Sequence, residues 1–416
     1  METERILVYA DWSGSVPEQI GTLYCDRSKG REQFSFEYRE DWLKTSAMQI
    51  DPELFLYRGR QYVPVEHSQF GVFLDSSPDR WGRLLMKRRE AIRAKKAGEK
   101  PRNLTETDYL LGVYDEARMG ALRFKTEENG RFLSDDRQLA APPWAHLRSL
   151  ENASRNFEQE NGEEEKWLEQ LFAPGSSLGG ARPKANVLGP DGSLWIAKFP
   201  SKHDEWNTGA WEMTVHELAV RCDLHVPEAK LETFSSLGST FLVKRFDRNG
   251  NKRIHFSSAL TLLGKTDGAS CADGSSYLDI VSFIRSHGAA PAKDLEELWK
   301  RIVFSIAVSN TDDHLRNHGF LLTKEGWRLS PMYDVNPGIY GNSLSLNINE
   351  NDAAMSYNTA IETAPQFGLT KDRAKEISQL ISDTVTKYWK YEAKKNGIAP
   401  GSIQQMESAF DSTYKW

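Results

Sequence analysis

The stretch Asn310-Thr311-Asp312-Asp313-His314-Leu315-Arg316-Asn317, with Ser330-Pro331-Met332-Tyr333-Asp334 downstream, decides how this chain is read. It places an Asp, an Asn five positions later and a second Asp seventeen positions beyond that in one short region. An ATP-dependent phosphotransferase needs that order. One carboxylate accepts the hydroxyl proton, while an amide oxygen and a second carboxylate hold Mg²⁺ against the phosphates. Mg²⁺ is a hard cation that keeps several waters, so two or three such side chains suffice. The competing reading is a polar loop whose Asp and Asn residues only cap turns. The flanks argue for a packed site. Asp294-x-x-Glu297 reads as a helix start with Asp294 as N-cap. Leu295, Leu298, Trp299, Ile302, Val303, Ile306 and Ala307 then recur at helical spacing. A buried helix thus delivers its C-terminal end to the Asp312 loop. Residues 319–323 and 327–329 read as two short strands around Lys324-Glu325-Gly326, a hairpin that folds Asp334 back toward Asn317.

The chain has 416 residues, more than one core usually supports, which points to two or three domains. Hydrophobic residues at 39% and charged residues at 27% fit a soluble globular protein. No apolar run is long enough to cross a bilayer. The start, Met1-Glu2-Thr3-Glu4-Arg5, is acidic and does not read as a secretory signal. Cys25, Cys222 and Cys271 are widely spaced and odd in number, which fits a reducing compartment, the cytoplasm, with no disulfide framework or structural zinc. A net charge of −6 excludes the chain as a whole from the general nucleic-acid binders.

Strands are expected at 6–10, 21–25 and 33–38, a small β-rich beginning. The turn 75–80 opens a helix over 81–97. Lys87, Arg88, Arg89, Arg93, Lys95, Lys96, Lys100 and Arg102 cluster on or just beyond it. That cluster reads as a solvated face or as a surface for nucleic acid or an acidic partner. A last strand of this part falls at 120–124, and a domain boundary within 126–165. Residues 158–165 are acidic and read as an exposed loop.

The second informative stretch is Ser176-Ser177-Leu178-Gly179-Gly180-Ala181-Arg182-Pro183-Lys184. Glycines let backbone N–H groups approach phosphate oxygens, so Ser177, Gly179 and Gly180 are candidate ATP contacts. The loop matches neither a Walker A nor a Rossmann fingerprint, and by itself it is also consistent with a connector. Residues 185–189 and 194–199 make a hairpin around Pro190-Asp191-Gly192. Lys198 interrupts its second, apolar strand. A lysine placed there reaches ATP phosphates in kinases; the other reading is an edge-strand lysine that discourages aggregation. A helix over 208–222 carries Glu212 and Glu217, either of which could pair with Lys198. After strands at 226–234 and 240–246, residues 244–248 read as a hinge, with Phe246 as the apolar floor for an adenine. The remainder reads as mostly helical, at 257–263, 276–287, 295–309, 371–396 and 403–414, with a polar loop at 264–274 that faces substrate.

Taken in order, seven pieces resemble the HipA family of serine/threonine kinases, the toxin half of bacterial toxin–antitoxin pairs. They are Ser77-Pro78-Asp79 with its basic helix, Met119-Gly120-Ala121-Leu122, residues 177–184, Val226-Pro227-Glu228-Ala229, Arg245-Phe246-Asp247-Arg248, residues 311–317 and Tyr333-Asp334. The resemblance covers nearly the whole chain. It implies an α+β, two-lobed protein-kinase-like fold, with a β-rich N-lobe and a helical C-lobe, behind a small β-rich N-terminal domain. The segments would be 1–130, 131–247 and 248–416. It implies Asp312 as the catalytic Asp, Asn317 and Asp334 as Mg²⁺ ligands and Lys198 on the ATP phosphates, and it favours Glu212 as the partner of Lys198. It marks Ser177, or the adjacent Ser176, as an inactivating autophosphorylation site. It implies neutralisation by a HipB-like helix-turn-helix antitoxin, so that DNA is met only through that partner. Its targets are aminoacyl-tRNA synthetases, which makes inhibited translation the expected outcome. Asp313 stands where the family often has a small residue, and a second carboxylate there is expected to alter metal affinity. A small-molecule phosphotransferase and a non-catalytic nucleotide-binding partner of the antitoxin are the rival functions.

Overall fold

The structure is a computed structural model that describes residues 2–12, 14–28, 30–45, 48–133, 137–159, 164–175 and 180–416. The chain packs as two compact units. The first is Met1–Lys202 with Asp247–Ser257, the second His203–Phe246 with Ser258–Trp416.

The first unit opens with three long antiparallel strands, β1 (Glu2–Ala10), β2 (Glu18–Ser28) and β3 (Arg31–Tyr38). The short β4 (Gln61–Tyr62) and β5 (Leu122–Lys125) complete a sheet of order β4-β3-β2-β1-β5. Its apolar positions, among them Ile6, Val8, Leu23, Phe34, Phe36 and Phe124, join Phe70 and Phe73 in one core. Gly21 is required by that packing. A Cβ at this position would lie 2.3 Å from Phe36 Cζ and 2.5 Å from the Glu37 carbonyl oxygen. Gly21→Ala therefore forces β2 and β3 apart and is expected to destabilise the protein by about 1–3 kcal/mol, the usual cost of overpacking. Urea denaturation checks this; an unchanged midpoint would show that the sheet yields without cost.

Helix α1 (Arg80–Ala97) is bounded by Asp79, whose side chain accepts from the Arg80 amide, and by Gly98 in the left-handed conformation. Its basic cluster is partly neutralised within the unit. Arg93 bonds Glu90 at 2.9 Å, Arg102 bonds Asp108 at 2.8 Å, and Lys96 pairs with Glu165. Arg89 lies over the Phe172 ring. These partners favour the solvated structural face over a dedicated anion-binding surface. Helices α2 (Leu147–Gln159) and α3 (Glu164–Gly175) follow. The acidic run expected as a loop over 158–165 thus continues helical to Gln159 and resumes helical at Glu164. There Trp167, Leu168, Leu171 and Phe172 supply an apolar stripe that the charge count hides. The hairpin of β6 (Lys184–Leu188) and β7 (Leu194–Lys198) forms as expected. Two of the quoted motifs meet in this unit. The Gly120 amide donates to Asp247 Oδ2 at 2.7 Å, and Arg248 donates to the Gly120 carbonyl at 3.1 Å.

The second unit contains α4 (Thr208–Arg221), the hairpin of β8 (Ala229–Ser235) and β9 (Gly238–Lys244), and the helices α5 (Tyr277–His287), α6 (Pro291–Val308) and α7 (Lys371–Lys395). Between α6 and α7 lies the hairpin of β10 (Gly319–Leu322) and β11 (Trp327–Leu329). Asp294 does not cap α6. Pro291, with its pre-set φ, starts the helix a turn earlier. Asp294 instead lies buried in the first turn and accepts from Arg328 at 2.9 Å and from the Leu329 amide at 3.1 Å, binding helix to hairpin. Residues 403–414 do not form one helix. A short helix Pro400–Gln405 and a 3-10 turn Glu407–Phe410 replace it.

Candidate active site

Helix α6 buries Leu298, Trp299, Ile302, Val303, Ile306 and Val308, so its direction is fixed by the core of the second unit. It ends at Ser309, which takes φ +54°, and the Asn310 amide returns to the Ser305 carbonyl at 2.9 Å. Beyond this cap the two adjacent Asp side chains face opposite ways. Asp312 points outward with its side chain 82% exposed. Asp313 points inward and is buried.

The inward carboxylate is fully engaged. Tyr277 Oη donates to Asp313 Oδ2 at 2.5 Å, Ser305 Oγ donates to the same oxygen at 3.1 Å, and His318 Nε2 lies 2.8 Å from Oδ1. Burial by itself raises the Asp313 pKa. The His318 imidazole and the two hydroxyls outweigh burial and hold it below the ordinary value. The same carboxylate and burial push Tyr277 well above its ordinary value. Asp313 is therefore held by the core beneath the loop.

Asn317 closes the loop from below. Its Nδ2 donates to the Asp312 carbonyl at 2.8 Å, which leaves the Oδ1 end of the amide as the one that can ligate a cation. The hairpin then brings the second Asp back. The Ser330 amide bonds the Gly319 carbonyl at 2.8 Å, and Tyr333 Oη donates to the Arg316 carbonyl at 2.7 Å. Asp334, the next residue, sits at φ +58°, a left-handed conformation that non-glycine residues adopt sparingly and that recurs at functional sites. Asn317 and Asp334 offer two oxygen donors, the hard ligands Mg²⁺ takes alongside waters. Among the described residues, no group of three or more His, Cys, Asp and Glu side chains could hold a metal. Phe246, half-buried, lies against the Tyr333 ring with centroids 5.5 Å apart. An aromatic pair thus adjoins the Asp334 turn. His314 Nε2 is 3.8 Å from Asp312 Oδ1, the outer limit of an ion pair.

The two glutamates of α4 have different fates. Glu217 pairs with Lys395 and accepts from Asn396 Nδ2 at 2.9 Å, both at the end of α7. Glu212 is buried within its unit.

In the first unit, Lys198 closes β7 and is buried. Its cross-strand neighbour in register is Lys184, also buried. Lys184 was not singled out in the sequence, although the signal was present: both lysines are equidistant from the Pro190-Asp191-Gly192 turn. The Lys184 ammonium lies beside Gly180, where an added Cβ would come within 2.7 Å of Nζ. Gly180 itself, at φ +80°, is fastened to the start of α1. Its amide donates to Asp79 Oδ2 at 2.6 Å and its carbonyl accepts from the Trp81 amide at 3.1 Å. Trp81 Nε1 also donates to the Lys184 carbonyl at 3.0 Å. Asp79 and Trp81, read before only as a turn and a helix start, thus anchor the base of the glycine loop. Ser176, Ser177 and Gly179 lie outside the described residues.

The fold belongs to the α+β, protein-kinase-like class. HipA from Shewanella oneidensis MR-1, solved in complex with HipB and operator DNA, superposes with a TM-score of 0.67 at 16% identity, over 97% of this chain and 95% of that one. The chain belongs to the HipA-like family, whose C-terminal domain matches residues 176–389. Two relatives carry the name "Putative kinase". Y4mE of Sinorhizobium fredii is 31% identical over 183 residues, 38% of this chain and 41% of that protein. A protein of Haemophilus influenzae is 26% identical over 179 residues, 38% of this chain and 52% of that one. The chain thus spans about half or less of the length of these two relatives. Among the described residues, no helix is long and apolar enough to cross a membrane.

Proposed function

We propose that this chain is an ATP- and Mg²⁺-dependent serine/threonine protein kinase that acts as a toxin. Its organisation would be the β-rich segment 1–130, the N-lobe segment 131–247 and the helical C-lobe segment 248–416. The observation that carries the reading is the Asp312 loop. An exposed carboxylate, an amide whose nitrogen is spent on that loop, and a strained Asp334 tied back through Tyr333 are grouped within one unit.

In the reaction, the acceptor hydroxyl oxygen forms a bond to the γ-phosphorus as the bond from that phosphorus to the β-bridging oxygen breaks, and ADP leaves. The hydroxyl proton passes to the Asp312 carboxylate. Asp312 is suited to this because its side chain is exposed while its carbonyl is held by Asn317. Mg²⁺ held by Asn317 and Asp334 would neutralise phosphate charge when bound. Lys198 and Lys184 bind phosphate oxygens in this reading. The two residues are paired in register on the hairpin, so one polyanion can draw on both positive charges. Glu212 orients Lys198, since Glu217 is already held by Lys395 and Asn396. Phe246 and Tyr333 offer flat apolar surface to the adenine, and Gly179 and Gly180 form the loop over the phosphates, with Gly180 acting through its anchor at Asp79.

Ser177 is the proposed autophosphorylation site. A phosphoserine adds about −2 charge beside the ATP phosphates and opposes nucleotide binding. The proposed partner is a HipB-like helix-turn-helix antitoxin, as in the Shewanella complex. With a net charge of −6, the chain meets DNA only through that partner. The proposed substrate is a protein, of which an aminoacyl-tRNA synthetase is the leading choice, and the proposed location is the cytoplasm.

Incubation with Mg-ATP followed by intact mass and a peptide map of residues 174–184 tests this. The expected result is ADP release and one phosphoryl group on Ser177, absent in Ser177→Ala. Label on added small molecules and on no polypeptide would favour the small-molecule phosphotransferase. No ADP release would leave the non-catalytic partner role.

A further inference from the structure

The loop 264–274 read as polar and substrate-facing, but the sequence does not say what holds it. In the second unit it is tied to both flanks of Asp312. On the C-terminal flank, Arg316 Nε donates to Asp267 Oδ1 at 2.9 Å. On the N-terminal flank, the Cys271 amide donates to the Ser345 carbonyl at 2.7 Å, and Ser345 Oγ donates to the Thr311 carbonyl at 2.8 Å. Asn347 Nδ2 adds a bond to the Cys271 carbonyl at 3.2 Å. At and around these ties the chain is exposed at Thr266, Asp267, Gly268, Ala272 and Asp273, with Ala269 buried.

We propose that residues 265–273, fastened on either side of Asp312 through Asp267–Arg316 and Cys271–Ser345–Thr311, form the platform on which a hydroxyl-bearing polypeptide is laid before Asp312, with Asp267 as the positioning residue. This rests on the kinase reading above. Three features support it. The Asp312 side chain is 82% exposed, so the surface beside it decides which hydroxyl arrives. The platform exposes small and polar side chains and main chain, with no large apolar group, which suits a hydrophilic extended peptide and not an apolar small molecule. The Asp267 carboxylate is itself 71% exposed while Arg316 is 30% exposed, so the acidic partner can be replaced without opening the core. Arg316 lies between Asp312 and Asn317 in the chain. Asp267 holds its side chain, whereas Tyr333 and Asn317 bond the Arg316 and Asp312 carbonyls, which substitution of Asp267 leaves in place.

The test compares wild type, Asp267→Arg, and the swap Asp267→Arg/Arg316→Asp. The acceptors are dephosphorylated casein and the Asp312→Ala chain, each titrated at saturating Mg-ATP. Asp267→Arg is expected to raise the acceptor KM about fivefold, as loss of an exposed ion pair and introduction of a like charge allow, with the KM for ATP within about twofold of wild type. The swap is expected to recover most of the acceptor KM. A second readout is the thiol labelling rate of Cys271. It is half-buried, whereas Cys25 and Cys222 are buried and their thiols are pushed up to about 12 by burial. Asp267→Arg should accelerate Cys271 labelling, and acceptor should slow it in the wild type. An unchanged acceptor KM, a parallel rise in the KM for ATP, or a swap that recovers nothing overturns the proposal. So does a wild-type protein that consumes ATP and labels neither acceptor. A wild-type protein that consumes no ATP overturns the kinase reading instead.

Discussion

Asp312→Ala is expected to lower the rate of phosphoryl transfer at least about 100-fold, the low end for removing a group that takes a proton in the transition state. The thermal midpoint should stay at the wild-type value. Both halves follow from where the residue sits. Its side chain is 82% exposed, so truncation removes solvated surface and opens no cavity in the core. The loop is held by main-chain groups that alanine retains, since Asn317 bonds the Asp312 carbonyl and not its carboxylate. The KM for ATP should change little, because Asn317, Asp334, Lys184 and Lys198 are untouched. Stopped-flow or coupled ADP release gives the rate, and calorimetry gives the midpoint. A variant that turns over at near the wild-type rate would remove Asp312 from the proton-accepting role and with it the proposed mechanism.

The elements around this loop were legible because their signals are local. The apolar stripe of α6, the Lys324-Glu325-Gly326 turn and the Pro190-Asp191-Gly192 turn each specify structure within a few residues. The start of α6 was misplaced because Asp294 satisfies the capping pattern, while its partners, Arg328 and the Leu329 amide, are far along the chain. The two Asp residues could not be told apart by type. What separates them is that one faces solvent while the other meets a polar core made by Tyr277 and Ser305, which lie on two helices, and His318. Lys184 escaped notice because strand register, and not the residue itself, sets it beside Lys198. The anchor of Gly180 on Asp79 joins residues 101 positions apart and left no local trace.

Asp313→Ala is expected to act in the opposite way to its neighbour, through stability and not through chemistry. The substitution strips three partners at once. The Tyr277 and Ser305 hydroxyls lose their acceptor and the His318 ring loses the carboxylate beside it, all in a buried setting. Leaving a buried polar group without its hydrogen-bond partner costs about 1–3 kcal/mol, and two hydroxyls are stranded here, a large share of the stability of a typical domain. Asp313→Asn retains one acceptor oxygen and should fall between alanine and wild type. The pH dependence has a defined sign. The folded-state pKa of Asp313 lies below its ordinary value of 3.8, so its contribution is fully present above that value and is lost as pH falls further, through the folded-state pKa. The part of the stability gap that comes from ionisation of Asp313 itself is therefore unchanged above about pH 4 and shrinks below it. Urea denaturation at a series of pH values checks both the size and the shape. An alanine variant with the wild-type midpoint at pH 7 would mean that the inward carboxylate is not what holds the loop, and that the exposure of Asp312 has another cause.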